Sequence, residues 1–83
     1  MNNSIYTAIV INALRKEAER LGKPLSWFRY AKKHTKSEGY RFLAHKEAQI
    51  AVLERLAQSL KDKLPELTTG QIADMIAAYV NTV

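Results

Sequence analysis

WFRYAKKHTKSEGYRFLAHK, residues 27–46, is the stretch whose reading decides the fold, because it holds five of the seven aromatic residues and six of the thirteen Lys and Arg. Trp27, Tyr30, Ala31 and His34 fall at i, i+3, i+4 and i+7, the spacing of one helical face, with Ser26 in front of them as an N-cap. Arg29, Lys32, Lys33 and Lys36 repeat that spacing two positions on, which centres them on nearly the opposite side. The pattern predicts a short helix from Trp27 to about Thr35 with an aromatic face turned inward and a cationic face turned outward. Ser37 with Gly39 marks its break.

Working toward the C-terminus, Tyr40 to Leu64 has neither Gly nor Pro, keeps Leu43, Ile50, Leu53, Ala57, Leu60 and Leu64 at helical spacing, and meets Pro65. This is expected to be the longest helix, with the others wrapped around it. Thr68 followed by Gln71 is a capping-box pattern, and Ile72, Met75, Ile76, Tyr79, Val80 and Val83 then describe a last amphipathic helix.

Toward the N-terminus, Asn12 to Leu21 reads as helix and meets Gly22 and then Pro24, the residue types that end one. Ile5 to Ile11 is β-branched or aromatic at six of seven positions, so strand and helix both remain open there. If 4–21 is one helix, Val10, Leu14, Ala18 and Leu21 form its inner face, while Ile5 and Ile9 point elsewhere and need a second partner, in this chain or another.

The fold expected from these segments is all-α: one domain over 1–83, a compact bundle of four helices around one long central helix. The alternative is a short N-terminal strand in a ribbon-helix-helix-like dimer with extra C-terminal helices. At 83 residues only about 60–65% of the unfolded surface is buried on folding, so dimerisation would add stability.

Composition narrows the function. With no Cys the chain has no disulfide, thiolate metal site or cysteine nucleophile, and it suits a reducing cytoplasm. Its longest apolar run is far shorter than the ~20 residues of a membrane span, so no membrane association is expected. His34 and His45 are eleven positions apart with only Glu38 and Glu47 nearby, which fits no zinc signature. No phosphate-loop, dinucleotide or nucleophile-elbow pattern occurs. No enzyme, cofactor or metal is expected.

Charge supplies the positive lead. The net charge is +5, and 22–46 carries Lys23, Arg29, Lys32, Lys33, Lys36, Arg41 and Lys46 against Glu38 alone, whereas 47–83 is mildly acidic. A soluble surface normally mixes its signs. Cations gathered on one wall instead gain by releasing counterions from a polyanion, without reading any base. The expectation is a small basic nucleic-acid-binding or nucleic-acid-associated protein, DNA or RNA, contacting phosphates through Lys23, Arg29, Lys32, Lys33, Lys36 and Arg41. The competing expectation is a protein-interaction module, a dimeric adaptor, inhibitor or regulator, that docks on an acidic protein. Trp27 and Tyr30 could stack bases but are assigned to the core, opposite the charges; Tyr40 is the better surface aromatic.

Two resemblances accompany this reading. Residues 67–80, LTTGQIADMIAAYV, resemble the first helix of a helix-turn-helix, with Thr68, Gln71, Ile72, Ala73 and Ile76 of the expected types. That motif reads DNA with its second helix, and none follows within the 83 residues, so the resemblance implies an amphipathic helix. The N-terminal half is similar to ribbon-helix-helix proteins, which implies a strand at Ile5 to Ile11 and a junction at Ala18, Gly22 and Ser26. Those proteins present polar strand residues to the major groove; this segment offers only Tyr6 and Thr7, so no base-reading residue carries over.

Overall fold

Ile5 to Ile11 belongs to a helix, not to a strand. The computed structural model describes residues 3–36 and 39–82, and its first element, α1, runs from Asn3 to Leu21. Tertiary packing overrides the β-propensity of the segment, because Val10, Leu14 and Ala18 line up every four residues and all three are buried. Ile5 and Ile9 face away, 58% and 39% exposed. The ribbon-helix-helix alternative therefore lacks its strand.

α1 ends as its sequence predicts. Gly22 takes the left-handed conformation, φ 67°. Its N–H donates to the Glu19 carbonyl at 3.1 Å, and that of Lys23 donates to the Ala18 carbonyl at 3.0 Å. This pair of bonds is the Schellman motif, which satisfies two of the helix's last carbonyls.

The expected helix over 27–35 does not form. After Pro24 the chain makes a single turn of 3-10 helix, Leu25–Phe28, and then two antiparallel strands, β1 (Lys32–Lys36) and β2 (Gly39–Leu43). Ser26 lies inside the 3-10 turn and caps nothing. The register pairs Lys32 with Leu43, Lys33 with Phe42, His34 with Arg41, Thr35 with Tyr40 and Lys36 with Gly39. Phe42 is fully buried and Tyr40 half-buried, while Arg41 and Leu43 are exposed. That alternation of period two is what a half-buried strand requires. Ser37 and Glu38 lie outside the described residues.

The long helix is also shorter than expected. α2 spans Glu47–Lys63, since Tyr40 to Leu43 is taken by β2. Its first turn is anchored by buried Gln49, whose Oε1 accepts from the Lys46 N–H at 2.9 Å and whose amide donates to the Trp27 carbonyl. α3 spans Thr69–Val80, and its start shows the anticipated box. The Gln71 N–H donates to Thr68 Oγ1 at 3.0 Å, and the Thr68 N–H donates to Gln71 Oε1 at 2.8 Å.

The described residues thus form three α-helices, one 3-10 turn and a two-stranded sheet, so the protein is mostly helical but is not four helices around a long one. The hub is the shortest helix. α3 packs against α1, α2, both strands and the 3-10 turn. Ile72, Ala73, Ile76, Ala77 and Val80 are all buried, and Asp74 is its single charge. An element surrounded on most sides must be apolar on most sides, whereas α2 has a solvated face. Phe28, Ala31 and Phe42 complete the core from the other side, within a radius of gyration of 11.8 Å. No helix among the described residues is long and apolar enough to cross a membrane.

Candidate functional site

Because Phe42 and Tyr40 turn toward the core, the alternate row of the sheet is its outer face. Lys32 and His34 from β1 and Arg41 and Leu43 from β2 are all exposed there. Lys32 and Arg41 take diagonal positions, and among the described residues neither forms an ion pair with a carboxylate. Residue 36 shares their row by register, whereas Lys33 pairs with Phe42 in the other; of Lys33 and Lys36 only the backbone is described. The stripe of four cations at helical spacing is therefore replaced by a strand row. Lys23 and Arg29 sit outside the sheet. Lys23 lies in the turn after α1 with its ammonium 5.7 Å from the centre of the Trp27 ring, and exposed Arg29 follows the 3-10 turn.

The aromatic residues are distributed differently from the expected pattern. Phe28, not Tyr30, is the fully buried ring of the segment, with Trp27 packed edge-on at 4.9 Å between centroids. Tyr30 is 67% exposed. The cause is its backbone: φ is 76°, the left-handed region that a bulky residue seldom enters. This reverses the chain between buried Phe28 and buried Ala31 and turns the Tyr30 side chain outward. Asn81, at the end of α3, holds the reversal. Its Oδ1 accepts from the Tyr30 N–H at 2.9 Å, and its Nδ2 donates to the carbonyls of Ala31 at 2.6 Å and Ala77 at 2.9 Å.

Where the sheet meets this turn there is a shallow depression of about 400 Å3 lined by Tyr30, Lys32, Leu43, Ala44 and His45. Tyr30, Leu43 and His45 were not among the expected site residues. Of these, only Leu43 carries a sequence signal, the alternation of polar and apolar residues over Gly39 to Leu43. On the inner row, Tyr40 meets Phe42 edge-on at 5.7 Å. Burial, and secondly the charge of Glu54, raise the Tyr40 phenol above its usual pKa, so this hydroxyl is a proton donor throughout the neutral range. Glu54 also accepts from the Phe42 N–H at 3.4 Å.

Two other surface depressions differ in character. One, between α1 and α3, is lined by Thr7, Ile11, Met75 and Tyr79 with Asp74 as its charge. The other, between α1 and α2, contains Lys16, Arg20 and Lys63, but Glu17 there pairs with Arg20 and lies 3.7 Å from Arg55. The sheet face thus combines an exposed ring with Lys32 and Arg41, neither of which has a carboxylate partner among the described residues. Among the described residues no three His, Asp or Glu come together as metal ligands. Compared with protein families, curated proteins and solved structures, the chain shows no match.

Proposed function

We propose that the outer face of the sheet binds the phosphate backbone of a nucleic acid, largely without regard to sequence, with Lys32 and Arg41 at its centre, Lys36 in the same row by register, and Lys23 and Arg29 as further cations of the same segment, while Lys33 belongs to the opposite row. The observation that carries the reading is the exposed row Lys32, His34, Arg41 and Leu43, in which neither Lys32 nor Arg41 has a carboxylate partner among the described residues. Cations so placed neutralise phosphates and release their counterions, a gain that needs no base contact. This is a binding protein, not an enzyme, and a cysteine-free chain suits the cytoplasm.

The test is the salt dependence of binding to a duplex oligonucleotide. The affinity falls steeply between about 50 and 200 mM salt, and Lys32→Gln with Arg41→Gln lowers the slope of log K against log salt by about 1.8, at ~0.9 per phosphate contact. A dissociation constant indifferent to salt rejects the reading.

A second reading rests on Ile5 and Ile9, whose exposure on α1 suits an apolar protein partner, a second copy included. Sedimentation of the protein alone tests the second copy: a dimer that Ile5→Asp with Ile9→Asp dissociates supports it, and a monomer at all concentrations removes it.

A further inference from the structure

We propose that Tyr30 is a stacking platform for an unpaired base, so that the preferred ligand of the sheet face is single-stranded nucleic acid. This rests on the phosphate-binding reading of that face and adds the ligand class. Of the seven aromatic residues, all within the described part of the chain, Tyr30 alone is exposed; Tyr6, Trp27, Tyr40 and Tyr79 are partly buried and Phe28 and Phe42 fully. A ring left in water contributes nothing to the core, and this one is held out by a backbone conformation unfavourable to it. Asn81, tied to α3 through the Ala77 carbonyl, braces that conformation with one bond to Tyr30 and one to Ala31. The base of the platform is therefore fixed before any ligand arrives, which lowers the ordering cost of binding.

The surroundings suit a nucleotide. The depression beside the ring is lined by Leu43 and Ala44, apolar floor for the flat face of a base, and by Lys32, a cation within the same depression for a phosphate. Arg41, diagonal to Lys32 on the sheet, extends the cationic track. In a duplex the base faces are stacked on one another and cannot reach the ring; a single strand offers them, and every base has such a face.

The experiment compares three probes at one salt concentration: oligothymidylate of about twelve nucleotides, an abasic strand of the same length, and a duplex. The wild-type protein binds oligothymidylate about 5- to 150-fold more tightly than the abasic strand, the range expected for stacking on one aromatic residue. Tyr30→Phe keeps that preference. Tyr30→Asn, which tolerates the left-handed backbone but removes the ring, abolishes it and leaves abasic and duplex binding unchanged.

Equal wild-type affinity for oligothymidylate and the abasic strand, or a preference that survives in Tyr30→Asn, overturns the stacking proposal while salt-sensitive duplex binding keeps the phosphate reading. Failure to bind any of the three probes overturns both. The wild-type comparison needs no variant, so a folding defect in a mutant cannot rescue the proposal.

Discussion

Replacing Asn81 with Ala removes three hydrogen bonds at once, one accepted from the Tyr30 N–H and two donated to the Ala31 and Ala77 carbonyls. Asn81 is exposed, so water replaces part of what is lost and each bond is set at the low end of the usual range, about 0.5 kcal/mol, for a total of about 1.5 kcal/mol. The left-handed backbone of Tyr30, intrinsically unfavourable by about 1–2 kcal/mol, then loses its brace. Urea unfolding followed by fluorescence of Trp27, the single tryptophan, should show a midpoint lowered by about 1–1.5 M, taking a slope near 1 kcal/mol/M for a chain this small. Asn81→Asp is at least as damaging, because it keeps only the bond from Tyr30 and, at the C-terminal end of α3, sets an anionic oxygen, which cannot donate, against the Ala31 and Ala77 carbonyls. Tyr30→Gly recovers about 1 kcal/mol in the Asn81→Ala background by relieving the positive φ. A midpoint for Asn81→Ala within about 0.3 M of wild type would refute the view that this side chain holds the turn.

Other expectations follow from single features. Gly22→Ala meets no atom within 4 Å but must adopt φ 67°, so it costs about 1 kcal/mol from backbone strain alone and lowers the melting temperature by about 4–8 °C. Gln49→Leu leaves the Lys46 N–H and the Trp27 carbonyl without their partners and costs about 2 kcal/mol in urea unfolding. The Tyr40 phenol, raised by burial and by Glu54, keeps its proton in the folded state where the unfolded chain has already released it. Stability therefore falls as the pH rises from about 10, the ordinary phenol value, through the folded one. Tyr40→Phe flattens that alkaline limb, and phenolate absorbance records the delayed ionisation directly.

The ends of α1 and α3 were legible because their signals are local, whereas Ile5 to Ile11 stayed open between helix and strand because its β-branched residues and its helical spacing disagree. Gly22 and Pro24 stop α1, Thr68 and Gln71 start α3, and Val10, Leu14 and Ala18 are the buried stripe of a helix whatever the propensity of the residues between them. The middle was not, because Lys32 and Lys36 are neighbours on a helix and also share a row on a strand, so four cations and two aromatics satisfied the wrong period. Two features break the tie. Trp, Phe, Tyr, His and Thr crowd 27–35, all poor helix formers, and Gly39-Tyr-Arg-Phe-Leu alternates as a strand does. The position of Tyr30 left no local trace, since its left-handed backbone is imposed by a residue fifty-one positions away through Asn81, and a tyrosine gives no hint of a positive φ. The net charge survived the change of fold, because an exposed strand row displays cations to solvent as an exposed helical face would. Lys23 and Arg29 did not join it, and that was visible only once the helix was gone.

The most direct test of the sheet face as the binding surface is an amide chemical-shift titration of the folded protein with a short single-stranded oligonucleotide at low salt. The account predicts that the largest, saturable shifts fall on residues 30–36 and 39–45, with the solvent faces of α1 and α2 unmoved. Shifts concentrated on α1 or α2, with the sheet silent, would contradict it.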